Sequence, residues 1–385
     1  MTIKKNYDIP LKKISLPQYN EVAKYLKKID LNKIYTNYGP LVQNLEMILA
    51  NHFKTDPKKV IITSNGTTSL KTILTSIKNK LKRPYLSDLR KEKKFYCILP
   101  SFTFTASAMS IIDTGLYPIF LDIDKNSAQL TPEIVEKFFR KNLNLKKNVI
   151  AVMPVSPFGS RINKREWDKF YFRNNIKIVY DEAWCFDSFS MNKVGDSAIS
   201  LHATKSFGCG EGGVILTDDF QKSLEYRKII NFGLNHNKQS VIIGYNGKMS
   251  EYNAAVALTS IEKWSENKSK CLELQRHYIN KLCSLSKIKI LDGFDTTFAW
   301  GSLPLIFKEK VNLKKIITNA AANKIEFRDW WKQGLHKFPA FEVFPKSCLK
   351  NTNSLSQRII NVPFYPDMEL DDIDKVCNEL YRYDK

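Results

Sequence analysis

Short apolar runs alternate with amphipathic stretches along the chain up to about residue 217. Short runs bounded by turn residues are typical of buried β-strands. The stretches between them place apolar residues at helical spacing, as Leu70, Ile73, Leu74 and Ile77 do on one face of a helix. This alternation predicts an α/β fold with a mostly parallel sheet. The predicted strands are 60–63, 95–100, 117–121, 149–155, 176–179 and 214–216.

The C-terminal third of the chain has a different pattern. From about residue 263 a long helical stretch leads to a smaller lobe, in which 300–307 is strand-like. A chain of 385 residues is long enough to bury a large core and to form two lobes. We predict a large α/β domain over 1–262, including the N-terminal segment, and a small domain over 263–385. The first 34 residues are basic and weakly patterned, so no element is predicted there.

One lysine stands in a glycine-rich segment, 200–213, directly before the strand predicted at 214–216. The glycines permit backbone conformations that other residues resist, so Lys205 is expected in a tight loop beside a buried strand. A lysine in such a place loses its proton readily and can form a Schiff base with a carbonyl group. Taken alone, a surface lysine in an ordinary glycine-rich turn explains the segment better.

A carboxylate follows the strand predicted at 176–179. Asp181 therefore lies at the carboxyl end of a buried strand, where ligands bind in open α/β sheets. A Schiff-base lysine and a carboxylate for a pyridinium nitrogen are the minimal equipment for pyridoxal 5′-phosphate (PLP) chemistry. Considered by itself, Asp181 is more simply a helix cap or a loop acid.

A third segment has the character of a phosphate site. Gly66 and Thr67 follow the strand at 60–63 and open a helix, whose first backbone N–H groups and positive dipole end attract anions. Gly66 lets the backbone approach a ligand, and Thr67 adds a hydroxyl. Plain helix capping by threonine or asparagine accounts for the same residues without any ligand.

Several ordered blocks of the sequence resemble one known family. The segment 194–213, with Gly195-Asp196, then Ser200, then Lys205 five residues later and Glu211-Gly212-Gly213, is similar to the signature of the DegT/DnrJ/StrS family of PLP-dependent sugar aminotransferases. The match extends from about Tyr35 to the C-terminal region. It implies the aspartate-aminotransferase-like fold, fold type I, with a large mostly parallel sheet domain and a smaller C-terminal α+β domain.

The resemblance implies a role for each matching residue. Lys205 would carry PLP and move the substrate proton, and Asp181 would keep the pyridine nitrogen protonated. Phe104 occupies the family's ring-stacking position. The implied phosphate ligands are Gly66, Thr67 and Ser200, together with Asn246 from the other subunit of a homodimer with shared active sites.

Some positions depart from the family pattern. Trp184 stands three residues after Asp181, where the family has a glutamine or histidine that contacts the PLP hydroxyl. An indole can donate one hydrogen bond or stack, but it cannot accept one. Ser156 replaces a frequent histidine, while Gly247 and Lys248 replace an aromatic residue and an arginine beside Asn246. These changes predict an altered cofactor edge or substrate, with activity retained.

Charge and composition limit the partners. The net charge of +21, from 60 basic and 39 acidic residues, favours anionic ligands such as a nucleotide diphosphate. We find no nucleic-acid-binding motif, no run able to span a membrane and no leader-like start, so cytoplasm is the expected compartment. Seven scattered cysteines and five histidines argue against disulfides and metal sites. The basic stretch 78–94 is expected to be a solvated surface insertion.

The predicted function is a PLP-dependent aminotransfer. The resemblance implies L-glutamate as amino donor and a nucleoside-diphosphate-linked keto-deoxyhexose, 4-keto-6-deoxy in the favoured case, as acceptor, for O-antigen or glycoside biosynthesis. One alternative is a PLP-dependent sugar dehydratase, although that group has histidine at the position of Lys205. Another is a non-catalytic regulatory relative, against which the intact Lys205 and Asp181 argue.

Overall fold

The computed structural model of the protein describes residues 7–81, 94–191, 193–331 and 333–384. Its centre is a seven-stranded sheet in the order β1-β7-β6-β5-β4-β2-β3, and only β7 runs antiparallel to its neighbours. The strands are β1 Val60–Thr63, β2 Tyr96–Pro100, β3 Tyr117–Leu121, β4 Val149–Val152, β5 Lys177–Asp181, β6 Asp196–Ser200 and β7 Gly213–Leu216. The predicted mostly parallel sheet is confirmed.

Helices cover this sheet, as parallel sheets require because both of their faces must be buried. Two of them begin at side-chain caps, since Asn65 accepts the Thr68 N–H at 2.8 Å and Thr131 accepts the Ile134 N–H at 3.4 Å. The helices are α1 Tyr19–Asn32, α2 Pro40–Phe53, α3 Gly66–Asn79, α4 Thr105–Asp113, α5 Pro132–Lys141, α6 Leu143–Lys146, α7 Lys164–Asn174 and α8 Phe220–Ile229.

A second, antiparallel sheet forms in the C-terminal part, in the order β10-β9-β8. Its strands are β8 Ile288–Ile290, β9 Leu303–Phe307 and β10 Ile359–Val362. The helix α9 Glu251–Glu262 packs on α1 and α2, and it is followed along the chain by α10 Trp264–Leu282, α11 Leu313–Ala322, α12 Lys350–Leu355 and α13 Leu370–Tyr381. The predicted fold class, a large mostly parallel domain with a smaller α+β part, is confirmed. The domain limit at residue 262 remains a prediction; it falls between α9 and α10.

The N-terminal segment differs from the prediction. Residues 19–32 form α1, although no element was predicted there. Its buried stripe consists of only Val22, Tyr25 and Ile29, in a helix otherwise rich in lysine, so the apolar periodicity is weak. Ahead of α1, the N–H groups of Asp8 and Ile9 donate to Lys324 O at 3.0 and 3.1 Å. The chain's first described residues therefore pack against its C-terminal part.

Two further elements escaped the apolar pattern. β6 reads Asp-Ser-Ala-Ile-Ser, yet all five residues are buried because it lies between β5 and β7. β8 is only three residues long. The strand predicted at 149–155 ends at Val152. Most of the basic stretch 78–94 lies outside the described residues, and its first residues end α3.

Helix length and hydropathy bear on the membrane question. Within the described residues, no helix combines the length and the apolar character needed to cross a lipid bilayer.

Candidate functional site

A cavity of about 420 Å³ opens at the carboxyl ends of β5 and β6. The start of α3, the loop after β2, and residues 330 and 331 of the C-terminal part complete its wall. Seven of the eight residues predicted for the site line it: Gly66, Thr67, Phe104, Asp181, Trp184, Ser200 and Lys205. Residues spread over 140 positions of the sequence thus meet in one place.

Asp181 ends β5 and is only 5% exposed. Ser107 Oγ donates to its Oδ2 at 2.6 Å, and the Ala183 N–H donates to its Oδ1 at 3.2 Å. Burial raises the pKa of Asp181, while these two hydrogen bonds and the charge of Lys205 act in the opposite direction. The carboxyl group is therefore held in one orientation, and a cation placed beside it stabilises its ionised form.

Lys205 lies in the tight turn that links β6 to β7. Its N–H donates to His202 O at 2.9 Å, and Gly208 packs so closely on Ala203 that a Cβ would lie 2.9 Å from the Ala203 Cα. Burial lowers the pKa of Lys205 to about 7, with the nearby Asp181 opposing that shift. A large fraction of this lysine is therefore neutral and nucleophilic at physiological pH.

The start of α3 forms one end of the cavity wall. The side chain of Asn65 caps the Thr68 N–H, so the N–H groups of Gly66 and Thr67 have no partner inside the helix. Gly66 sits directly on Ser200: a Cβ at this position would come within 2.8 Å of the Ser200 Cβ. The cap and the predicted phosphate site are therefore compatible, since the cap leaves the first two N–H groups of the helix free.

Aromatic side chains border the mouth of the cavity. Phe104 precedes α4 and is 56% exposed, whereas the neighbouring Phe102 is fully buried. Trp331 stacks on Phe158 with ring centroids 4.4 Å apart and an interplanar angle of 8°. Trp330 lines the same wall. An exposed aromatic ring at a cavity mouth offers a flat surface to another ring.

Trp184 is accommodated by two glycines. Gly159, at φ +97°, lies under the backbone of Trp184, and a Cβ on Gly301 would approach the Trp184 Cε3 to 3.0 Å. The Lys205 Nζ lies 4.0 Å from the centre of the indole ring. Ser156, which stands where the family has histidine, donates to Ser160 O at 2.5 Å. Trp184 thus contacts the lysine directly.

Asn246 does not join the other predicted residues. It is exposed, it forms an isolated bridge with Asn231, and it does not line the cavity of its own chain. Exposed apolar side chains belong to the same part of the chain, namely Phe232, Val241, Ile243 and Tyr252.

Sequence reasoning missed other residues of the cavity wall. Ser107 gave no signal, because a serine in the first turn of a helix is common and its contact with Asp181 is made across 74 positions. His202 and Thr204 stand inside the lysine loop, where the segment itself pointed to them. His202 Nδ1 lies 2.8 Å from Thr204 Oγ1, so the pair stiffens the turn that carries Lys205.

A comparison of the sequence with protein families gives a match over residues 18–381 to the DegT/DnrJ/EryC1/StrS aminotransferase family. The chain belongs to this family. The family predicted from the motif around Lys205, and the enzyme class that goes with it, are therefore confirmed.

Individual relatives in the family are distant. A dTDP-4-amino-4,6-dideoxy-D-glucose transaminase of Shigella dysenteriae is 26% identical, with 95% of this chain and 96% of the relative covered. A Bacillus cereus protein assigned as a PLP-dependent aminotransferase has a solved structure that matches with a TM-score of 0.85 and 27% identity, over 97% of this chain and 99% of that one.

The same fold also carries another chemistry. A solved E. coli GDP-4-keto-6-deoxy-D-mannose-3-dehydratase matches with a TM-score of 0.78 over 97% of this chain and 99% of that one, at 18% identity. The fold is therefore shared by transaminases and dehydratases, and the site residues have to distinguish them.

The cofactor-free protein provides a test of the buried carboxyl. Because burial raises the pKa of Asp181, its contribution to stability is present at low pH and is lost as pH rises through that raised pKa. Asp181→Asn removes the ionisable group, so the variant does not lose stability in this way as the pH rises. We expect the free energy of unfolding of the variant, relative to the wild-type protein, to increase between about pH 4 and about pH 8, as measured by urea unfolding.

The matched control is Asp30→Asn, since Asp30 is exposed and its side chain forms no ion pair or hydrogen bond within the described residues. Its stability difference from the wild-type protein should stay nearly constant over the same pH range. A pH-independent difference for Asp181→Asn would show that the carboxyl is not destabilised by its burial.

Proposed function

We propose that the protein is a PLP-dependent aminotransferase that acts on a nucleoside-diphosphate-linked keto-deoxyhexose with L-glutamate as amino donor. The observation that carries the proposal is the meeting, in one cavity, of a lysine whose pKa is lowered to about 7 with the buried Asp181 and the open N-terminus of α3. These are the three groups that an aldehyde, a pyridine nitrogen and a phosphate require.

The residues present fit the cofactor. Lys205 would hold it covalently, and the phosphate would lie against the N–H groups of Gly66 and Thr67 beside the hydroxyl of Ser200. Phe104 would cover one ring face. Bound PLP supplies an electron sink for the bonds at the donor Cα.

The protein's own groups carry the proton steps. The Asp181 carboxylate would accept a hydrogen bond from a protonated pyridine nitrogen, and Ser107 keeps that carboxylate oriented. The Lys205 amine would take the proton from the donor Cα, a step for which a pKa of about 7 is well matched. Trp184, with its ring under this amine, limits where the Nζ can move.

A transaminase is favoured over a dehydratase because the position that is histidine in the dehydratases is Lys205 here. The nucleotide-linked substrate is supported by the Shigella relative, whose name specifies a dTDP-sugar. The net charge of +21 favours a diphosphate over a neutral sugar. A nucleotide also adds remote binding energy that positions the small keto group. We place the reaction in the cytoplasm, in O-antigen or glycoside biosynthesis.

We further propose a homodimer with shared active sites. Asn246 is exposed and lies outside its own chain's cavity, and the exposed Phe232, Val241 and Ile243 around it form an apolar surface that a second copy would cover. In a two-fold dimer this surface meets its own copy, so Asn246 would reach the partner's phosphate site.

Lys205→Ala tests the attachment. The variant should fold, because the side chain makes no ion pair within the described residues, but turnover should fall by at least about 10³-fold since the nucleophile is gone. Borohydride reduction of the PLP-reconstituted wild-type protein should fix the cofactor on the peptide that contains residue 205, as read by mass spectrometry. Cofactor fixed at an unchanged level in Lys205→Ala would refute the assignment.

Complementation tests the shared site. Lys205→Ala and Asn246→Ala chains, each inactive alone, should regain about one quarter of wild-type activity after mixing and reassembly. Random pairing makes half of the dimers mixed, and each mixed dimer has one intact site. If Asn246 acted within its own chain, both sites of a mixed dimer would carry a lesion, and the mixture would remain inactive.

A further inference from the structure

Lys12 approaches the site from the N-terminal segment. Its Nζ donates hydrogen bonds to Gly301 O and, at 3.0 Å, to Phe364 O. The same nitrogen lies 5.4 Å from the centre of the Trp184 ring. Residues 12–17 also line a second cavity, of about 240 Å³, whose opposite wall is the lysine loop 203–208. Lys12 is therefore built into the side of the site that lies away from the cofactor cavity.

The charge of Lys12 has no carboxylate to balance it among the described residues. Its nitrogen meets two carbonyl oxygens and an indole ring, and the thiol of Cys271 acts on its charge. Burial lowers the pKa of Lys12 to about 8. A buried ammonium group without a paired carboxylate lowers the stability of the folded protein. A lysine retained at such a position is therefore a candidate for a role in the site.

The indole of Trp184 is shared by two lysines. The Nζ of Lys205 lies 4.0 Å from the ring centre, and that of Lys12 lies 5.4 Å from it. The face of an aromatic ring stabilises a cation, but two cations at the same ring repel each other. The groups that act on Lys205 are Asp181, which favours its charged form, and Lys12, which opposes it, with the thiol of Cys185 contributing least.

We propose that Lys12 is a positioning residue for Lys205: its ammonium, held at Trp184 by the carbonyls of Gly301 and Phe364, repels the ammonium of Lys205 and shifts that lysine towards its neutral, nucleophilic form. The importance of this shift for catalysis rests on the proposed function. The shift itself is a property of the cofactor-free chain.

Burial lowers the pKa of both lysines, to about 7 for Lys205 and to about 8 for Lys12. At lower pH both are protonated, and Lys205 cannot attack a carbonyl group.

The proposal is tested by competitive acetylation. The cofactor-free protein is treated with trace acetic anhydride between about pH 5 and about pH 10, a range that includes ordinary and lowered lysine pKa values. Mass spectrometry of the peptide containing Lys205 gives the midpoint of its labelling. Lys12→Met keeps the length of the side chain and removes the charge, so the midpoint for Lys205 should rise by about one pH unit.

Two further variants separate charge from structure. Lys12→Arg keeps a permanent charge, so the midpoint for Lys205 should stay at or below the wild-type value. Lys13→Met is the matched control, because Lys13 is adjacent and exposed, and it should leave the midpoint unchanged. An unchanged midpoint in Lys12→Met, or a raised midpoint in Lys12→Arg, overturns the proposal. If the methionine variant does not fold, Lys12→Gln removes the same charge and keeps N–H donors for the carbonyls of Gly301 and Phe364, and an unchanged midpoint there overturns the proposal.

Failure here is distinguishable from failure of the proposed function, because no cofactor or substrate is present during labelling. A raised midpoint in Lys12→Met without any aminotransfer by the wild-type enzyme would support the charge effect and reject the function. Aminotransfer by the wild-type enzyme together with an unchanged midpoint in Lys12→Met would support the function and reject the charge effect.

Discussion

Burial drives the two ionisable groups at the centre of the cavity towards their neutral forms. It raises the pKa of Asp181 and lowers that of Lys205 to about 7, although each attracts the charge of the other. The site is therefore short of a cation beside Asp181 and of an anion at the start of α3. A pyridinium ring that carries a phosphate would supply both, so the burial of these groups favours such a cofactor.

Backbone contacts hold these groups in place. Lys205 is fixed by a turn in which Gly208 packs on Ala203, and Gly66 rests directly on Ser200. Trp184 fits only because Gly159 and Gly301 leave room for it. The tryptophan that replaces the family's glutamine or histidine therefore occurs together with two glycines that make room for its ring. It brings an aromatic ring to the amine of Lys205 and provides the surface through which Lys12 acts.

The parts of the site that could be predicted are those encoded by consecutive residues. Lys205 and Gly66 stand in glycine-rich segments next to apolar strands, and the strand before Asp181 is a plain apolar run, so local pattern was sufficient. Ser107 and Lys12 reach the site through contacts across 74 positions or more, which leave no local signature. The same holds for the fold. The strands made of apolar runs were predicted from the sequence, whereas the polar β6 is a strand only because it lies between two buried strands.

The most direct test of the account is the fate of the donor nitrogen. Purified PLP-reconstituted enzyme would be given ¹⁵N-labelled L-glutamate and a set of nucleotide-linked keto-deoxyhexoses, with the corresponding free sugars in parallel, and the products analysed by mass spectrometry. The account predicts a nucleotide-linked amino sugar that carries the label, formed together with 2-oxoglutarate, and far less product from the free sugars. A product that has lost the elements of water and carries no label would instead identify a dehydratase and contradict the role given to Lys205.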